Sequence, residues 1–267
     1  TGEEACGVGG CNEKALPDTN PEGYYWRRRG GSSERITSTP HVAPSNFSGG
    51  PAWIWPNELD EQVRHSPLID EKKNVYIQTA VRIRKFDPNG GLVWLWECHL
   101  HDGKMSMSPA LYQGTLYAVV SNEAQARITM YALDMETGRE KWRLGSQVHV
   151  KMDANSLLVY NDTIIMPTRH WPGRDYVDGN NQVSAFRASD GSHLWSYTAE
   201  GAVWNMMVST PGDGTLLFAT QCGAAYRLDW DGREIWKSGR SKPDHTCGCG
   251  GGTLGPNGLF YVEFNDW

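Results

Sequence analysis

No apolar stretch in these 267 residues approaches the roughly 20 needed to cross a bilayer as a helix. The chain is therefore expected to be soluble, or held at a membrane by something else. Positive charge is also scarce. The 25 Lys and Arg stand against 31 Asp and Glu, a formal net charge of −6, which argues against nucleic acid as the main partner. Arg27, Arg28 and Arg29 are the only dense basic run, and so short a run reads as a solvated turn rather than a phosphate site. The chain opens at Thr1 without a charged-then-apolar leader, so any targeting peptide is expected to have been removed or left out.

Aromatic residues and glycine are what the chain has in quantity: 12 Trp and 30 Gly. Trp53, Trp94, Trp142, Trp195 and Trp236 recur at intervals of 41, 48, 53 and 41 residues, and a glycine stands four residues before each: Gly49, Gly90, Gly138, Gly191 and Gly232. A period in the forties, with one glycine turn and one aromatic per unit, is the sequence pattern of a β-propeller whose units are four-stranded blades. The glycine is needed because the last residue of the turn adopts φ > 0, which a Cβ disfavours. The tryptophan is expected to fill the wedge between adjacent blades.

The clearest unit begins at Ser108-Pro109-Ala110-Leu111, turns at Tyr112-Gln113-Gly114, and returns through Thr115 to Val120. A third strand follows over Ile128 to Leu133, and Trp142 lies on the fourth. Apolar alternation and glycine-bearing turns favour hairpins over helices. Units 66–94, 108–142, 156–195 and 209–236 are complete, whereas a fifth stops after two strands. The expected fold is all-β: four complete four-stranded antiparallel blades and a fifth shared between the N-terminal segment and the C-terminus, or part of a seven- or eight-bladed ring. Residues 1–23 read as an N-terminal extension bearing Cys6 and Cys11, and residues 24–267 as the propeller.

The run Ala132-Leu133-Asp134, Thr137-Gly138 and Trp142, preceded by the Ser-Pro strand and the Gly-Thr-Leu-Tyr hairpin, resembles the pyrroloquinoline-quinone-like (PQQ-like) β-propeller repeat. The stretch from Trp26 to Trp53 resembles that family's opening segment, whose strand completes the last blade. The family includes quinone-dependent dehydrogenases and non-catalytic assembly scaffolds, so fold alone does not choose between them. The resemblance implies, for the enzymes, a cofactor held against a disulfide of adjacent cysteines, with calcium and a catalytic aspartate nearby. No adjacent cysteine pair exists here, Cys247-Gly248-Cys249 being the nearest approach, and no cluster of Asp, Glu and Asn marks a calcium cage. The resulting expectation is a non-catalytic scaffold without cofactor, a subunit of a larger assembly that binds a protein partner, with a membrane-associated complex as one candidate. The alternatives are a PQQ- and Ca²⁺-using oxidoreductase and a glycan-binding propeller.

Loops that lead into each inner strand converge on one mouth of the channel, and here they carry His65, Met105, Met107, Met152, Asn155, Asn205, Met206, Met207, Asp153 and Asp244. Soft-metal ligation and simple packing by flexible methionines both remain open. For a metal, His99, His101, His245, Cys247 and Cys249 are the candidate ligands. Cys6, Cys11, Cys247 and Cys249 are the candidate disulfide formers, tying the extension to the glycine-rich loop 244–252, while Cys98 and Cys222 are expected as buried free thiols. Trp171, Tyr176, Trp204 and Trp230 fall outside the repeat position and are candidate contact residues. An even cysteine count and the sequons at Asn46 and Asn161 point to an extracytoplasmic or lumenal setting: periplasm, thylakoid lumen or secreted. Asn161 also suits a tight hairpin turn.

Overall fold

The structure is a computed structural model that describes residues 21–32, 48–99, 101–125, 127–146, 150, 156–169, 180–203, 208–239, 247–255 and 257–266. Among them the only helix is one 3-10 turn, Glu123–Gln125. Strands make up the remaining regular structure, in five antiparallel sheets. The first blade comprises β1 (Leu68–Ile69), β2 (Val75–Gln78), β3 (Arg82–Phe86) and β4 (Leu92–Glu97). In the second, β6 (Ala110–Tyr112), β7 (Thr115–Asn122), β8 (Arg127–Asp134) and β9 (Glu140–Ser146) follow the same order, and a short β5 (Lys104–Met105) pairs antiparallel with the end of β7. The third holds β10 (Leu158–Tyr160), β11 (Thr163–Thr168), β12 (Gln182–Arg187) and β13 (His193–Thr198).

The fourth blade has β14 (Thr215–Ala219), β15 (Ala225–Asp229) and β16 (Glu234–Ser238), its innermost strand reduced to a Ser209–Leu217 bridge. A fifth sheet pairs β17 (Cys247–Leu254) with β18 (Phe260–Asp266). The expected propeller blades are therefore present. One expectation is corrected: glycines 248–252 lie within β17 and not in a loop. A Cβ on Gly252 would sit 2.2 Å from the Phe260 ring, so the cross-strand aromatic occupies the space a side chain would need.

One device is repeated from blade to blade. Asp134 Oδ1 accepts the amides of Glu136 and Thr137 at 3.2 and 2.9 Å, and Asp87 and Asp229 organise their turns in the same way. Gly90, Gly138, Gly191 and Gly232 close the turns with φ of 86°, 71°, 76° and 82°. The register slips at each turn, between Lys85/Phe86, Ala132/Leu133, Ala185/Phe186 and Arg227/Leu228, as a bulge beside a left-handed residue requires. Across the blade boundary, the glycine of one blade carries the tryptophan of the blade before it. A Cβ on Gly138 would lie 2.7 Å from Trp94, on Gly191 2.8 Å from Trp142, on Gly232 2.5 Å from Trp195, and on Gly90 2.7 Å from Trp53.

The indole N–H groups complete the lock. Trp94, Trp142 and Trp195 donate to the carbonyls of Met135, Ala188 and Trp230 at 3.0, 3.1 and 3.0 Å. Two members of the series depart from it. Gly49 is not left-handed, and its neighbour Gly50 takes φ 72° instead. Trp236 stands at the repeat position but is 37% exposed, because among the described residues no glycine turn lies against it.

The core is correspondingly split into layers between blades. One cluster joins Leu68, Tyr76, Trp94 and Trp96 to Leu116, Tyr131 and Met135. The next joins Met107, Tyr117 and Met130 to Ile164, Met166 and Phe186, and the third runs from Leu158 and Ile165 to Phe218 and Tyr226. Inner strands are covered on both faces, so β7 is buried along seven of its eight residues, whereas every residue of the outer strand β16 is exposed.

Candidate functional site

The segment Tyr24–Ser32 runs along the inner side of four blades. Trp26 and Ile69 of β1 exchange backbone hydrogen bonds, both 2.9 Å, and Leu111 N–H of β6 donates to the Arg27 carbonyl at 2.8 Å. The Arg27 guanidinium reaches onward to the Val159 carbonyl of β10, and that of Arg28 to the Val208 carbonyl beside the inner bridge of the fourth blade, each at 2.9 Å. Both arginines are 1% exposed. Arg27 and Arg28 are therefore packed among the inner strands of four blades, which corrects the reading of the run as a solvated turn, while Arg29 stays partly exposed. Trp26 itself pairs with the innermost strand of the first blade, while Trp53, at the far end of the stretch that resembles the family's opening segment, sits against Gly90 of the first blade as the other repeat tryptophans sit on the blade after their own.

Each end of the segment is anchored. At the entry, the Tyr24 hydroxyl accepts the Gly114 amide at 2.9 Å, Glu22 accepts the Gln113 amide at 3.1 Å, and a Glu22 carboxylate oxygen lies 3.8 Å from Arg27. Arg27 also stacks over the Tyr112 ring at 5.7 Å. A tight turn follows, in which Arg28 bridges Gly31 and the Trp26 ring lies where a Gly31 side chain would be, 3.1 Å from the position of its Cβ. Gly30 and Gly31 both have φ 86°. Near Arg29 and Arg64 is His65, whose imidazole is pushed down to about 4 by burial and by their charges. A pocket of about 550 Å³ opens beside the entry, lined by Tyr24, Asp70, Lys85, Gln113, Met135 and Glu136 among others. Lys85 is buried at its base, donating to the Met135 carbonyl at 2.9 Å.

Most candidate residues from the sequence are dispersed. Met105 and Met107 are fully buried in two separate core layers, so packing accounts for both. His99 is paired with Glu140 at 3.4 Å and stacked on Tyr131, while the His101 carbonyl accepts from Asn122 and Arg127. Among the described residues no three His, Cys, Asp or Glu side chains converge on a metal-sized point. Cys98 is a buried free thiol, pushed up to about 11 mainly by burial. Cys222, expected free, is disulfide-bonded, because pairing follows spatial proximity and not local composition.

Trp230 is half-buried between blades, edge-on to Tyr160 with centroids 5.6 Å apart and donating to Thr163 Oγ1 at 3.2 Å. Asn161 and Asp162 have φ of 48° and 54°, the hairpin turn anticipated for them. Trp171, Tyr176, Trp204, His245, Met152, Asp153, Asn155, Asn205, Met206, Met207, Asp244, Cys6 and Cys11 lie outside the described residues, as do the side chains of Cys247 and Cys249.

The family model described as outer membrane protein assembly factor BamB matches residues 79–247. The quinohemoprotein alcohol dehydrogenase of Comamonas testosteroni superposes with a TM-score of 0.62 at 14% identity, over 88% of this chain and 44% of that one. Quinohemoprotein alcohol dehydrogenase ADHIIG of Pseudomonas putida HK5 gives 0.62 at 15% identity, over 84% and 41%. The chain thus spans less than half the length of either neighbour, and at such identities the likeness is one of fold. No curated protein matches the sequence.

Proposed function

The chain belongs to the BamB-like family of PQQ-like propellers, and from that premise we propose that it is a non-catalytic scaffold that binds a protein partner in an extracytoplasmic or lumenal assembly. The observation that carries this reading is the filled axis. Arg27 and Arg28 occupy the space between the inner strands and are committed to the carbonyls of Val159 and Val208. A planar quinone on that axis would have to displace two buried guanidinium groups, so the residues present do not fit one there. The Cys222 disulfide supports the compartment, since structural disulfides persist in oxidising environments. Surface loops are left to do the binding, as is usual for a rigid scaffold.

The test is purification from the native source under mild conditions. A stoichiometric protein partner that protects surface loops from proteolysis supports the reading. Recovery of the chain alone, with a tightly retained chromophore, contradicts it and favours the oxidoreductase alternative suggested by the two fold neighbours.

A further inference from the structure

We propose that the channel is a binding site for an arginine-bearing peptide, extended through Trp26 and Arg27 and turned back at Arg28–Gly31, filled in cis by residues 24–32, which thereby strap the blades together. This goes beyond the scaffold reading and does not depend on it. The site has the parts of strand addition: β1 offers the amide and carbonyl of Ile69, and β6 offers the amide of Leu111, to one extended backbone. Specificity comes from two carbonyls further round the arc, Val159 and Val208, each accepting from one guanidinium. A carbonyl that accepts from an ion makes a stronger bond than one that accepts from a neutral donor, and neither carbonyl is within reach of a short side chain on the same backbone. Tyr112 supplies a ring face to the first arginine and the Gly114 amide holds the tyrosine that precedes the pair.

The geometry also explains how blades without adjacent partners are held in register. Contacts between neighbouring blades, the tryptophan locks and the core layers, join one boundary at a time. The strap is different: within Trp26 to Arg28 it touches the inner strands of the first and second blades by backbone and of the third and fourth by side chain. Ordering the strap and ordering the arc are therefore one event.

The experiment uses the full chain with a specific protease site introduced between residues 33 and 47. After cutting, with and without reductant, the N-terminal fragment is expected to co-elute with the blades and to exchange for a labelled peptide of residues 21–32 in a saturable manner. The same peptide carrying R27A and R28A is expected to bind at least roughly tenfold more weakly, two charge-assisted bonds having been lost. Dissociation of the fragment with the blades' melting temperature unchanged would overturn the proposal, as would equal binding of the doubly substituted peptide. Should cutting unfold the protein, hydrogen exchange on the uncut chain decides. Trp26, Ile69 and Leu111 amides protected as long as those of β7 and β8 support the strap, and exchange at unstructured rates refutes it.

Discussion

Replacing Gly138 by Ala tests the blade-to-blade lock against the demands of the turn alone, because a second glycine in the same blade supplies the control. Gly138 has φ 71° and Gly114 has φ 68°, so a Cβ costs about 1 kcal/mol of backbone strain at either. The loss of unfolded-chain entropy on changing Gly to Ala is also common to both. Their surroundings differ. At Gly114 a Cβ meets nothing within 4 Å, whereas at Gly138 it would lie 2.7, 2.9 and 3.0 Å from three atoms of the Trp94 ring. That ring is 8% exposed, tilted against Tyr76 at 5.8 Å, and fixed by its bond to the Met135 carbonyl, so it cannot retreat without opening the core layer. Overpacking of this kind costs about 1–3 kcal/mol. Gly138→Ala should therefore destabilise by roughly 2–4 kcal/mol and Gly114→Ala by about 1. Urea unfolding with an unchanged m-value would measure both. Agreement of the two variants within about 0.5 kcal/mol would mean that the tryptophan is not seated on the turn.

Three further outcomes follow from the buried groups. His65 has its folded pKa depressed to about 4 from an ordinary 6.5, so the unfolded chain binds the proton first: stability is full above pH 6.5 and declines as pH falls to about 4, by on the order of 1–2 kcal/mol after allowing for partial exposure. A His65→Gln variant whose pH profile between 4 and 6.5 matches the parent would refute this. Arg28→Ala should cost about 2–4 kcal/mol, because a buried charged donor and its carbonyl partner are both lost, while Arg29→Ala should stay within about 0.5. Equal effects in thermal or denaturant unfolding would return the basic run to the solvent. Peptide mapping without reductant should find Cys222 in a disulfide and Cys98 alkylated only on unfolding, and labelling of Cys222 in the unreduced, unfolded chain would contradict the structure.

The parts legible in the sequence are those whose cause is local. A turn that needs φ > 0 shows itself as Gly90, Gly138, Gly191 and Gly232, and a ring that must land on the next turn shows itself as a tryptophan four residues later. Asn161 at a left-handed turn is legible for the same reason. Arg27 and Arg28 were not, since a charge run reads as solvated and their acceptors are 132 and 180 residues away. Only the topology of the inner strands reveals that those carbonyls line one axis. Glycines 248–252 read as a loop because glycine weakens a strand, and nothing nearby in sequence tells that Phe260 needs the space at Gly252. Cys222 and Cys98 are indistinguishable by composition, and only the fold gives one of them a partner.

The channel is filled by the chain's own arginine strap, and the proposed role is that of a binding scaffold and not of a quinone enzyme. Its most direct test is titration of the intact chain with pyrroloquinoline quinone and Ca²⁺, followed by equilibrium binding and by dye reduction with alcohols. A filled channel should give no saturable quinone binding and no alcohol-dependent reduction, whereas stoichiometric binding with quinone-dependent electron transfer from an alcohol would contradict the proposed role.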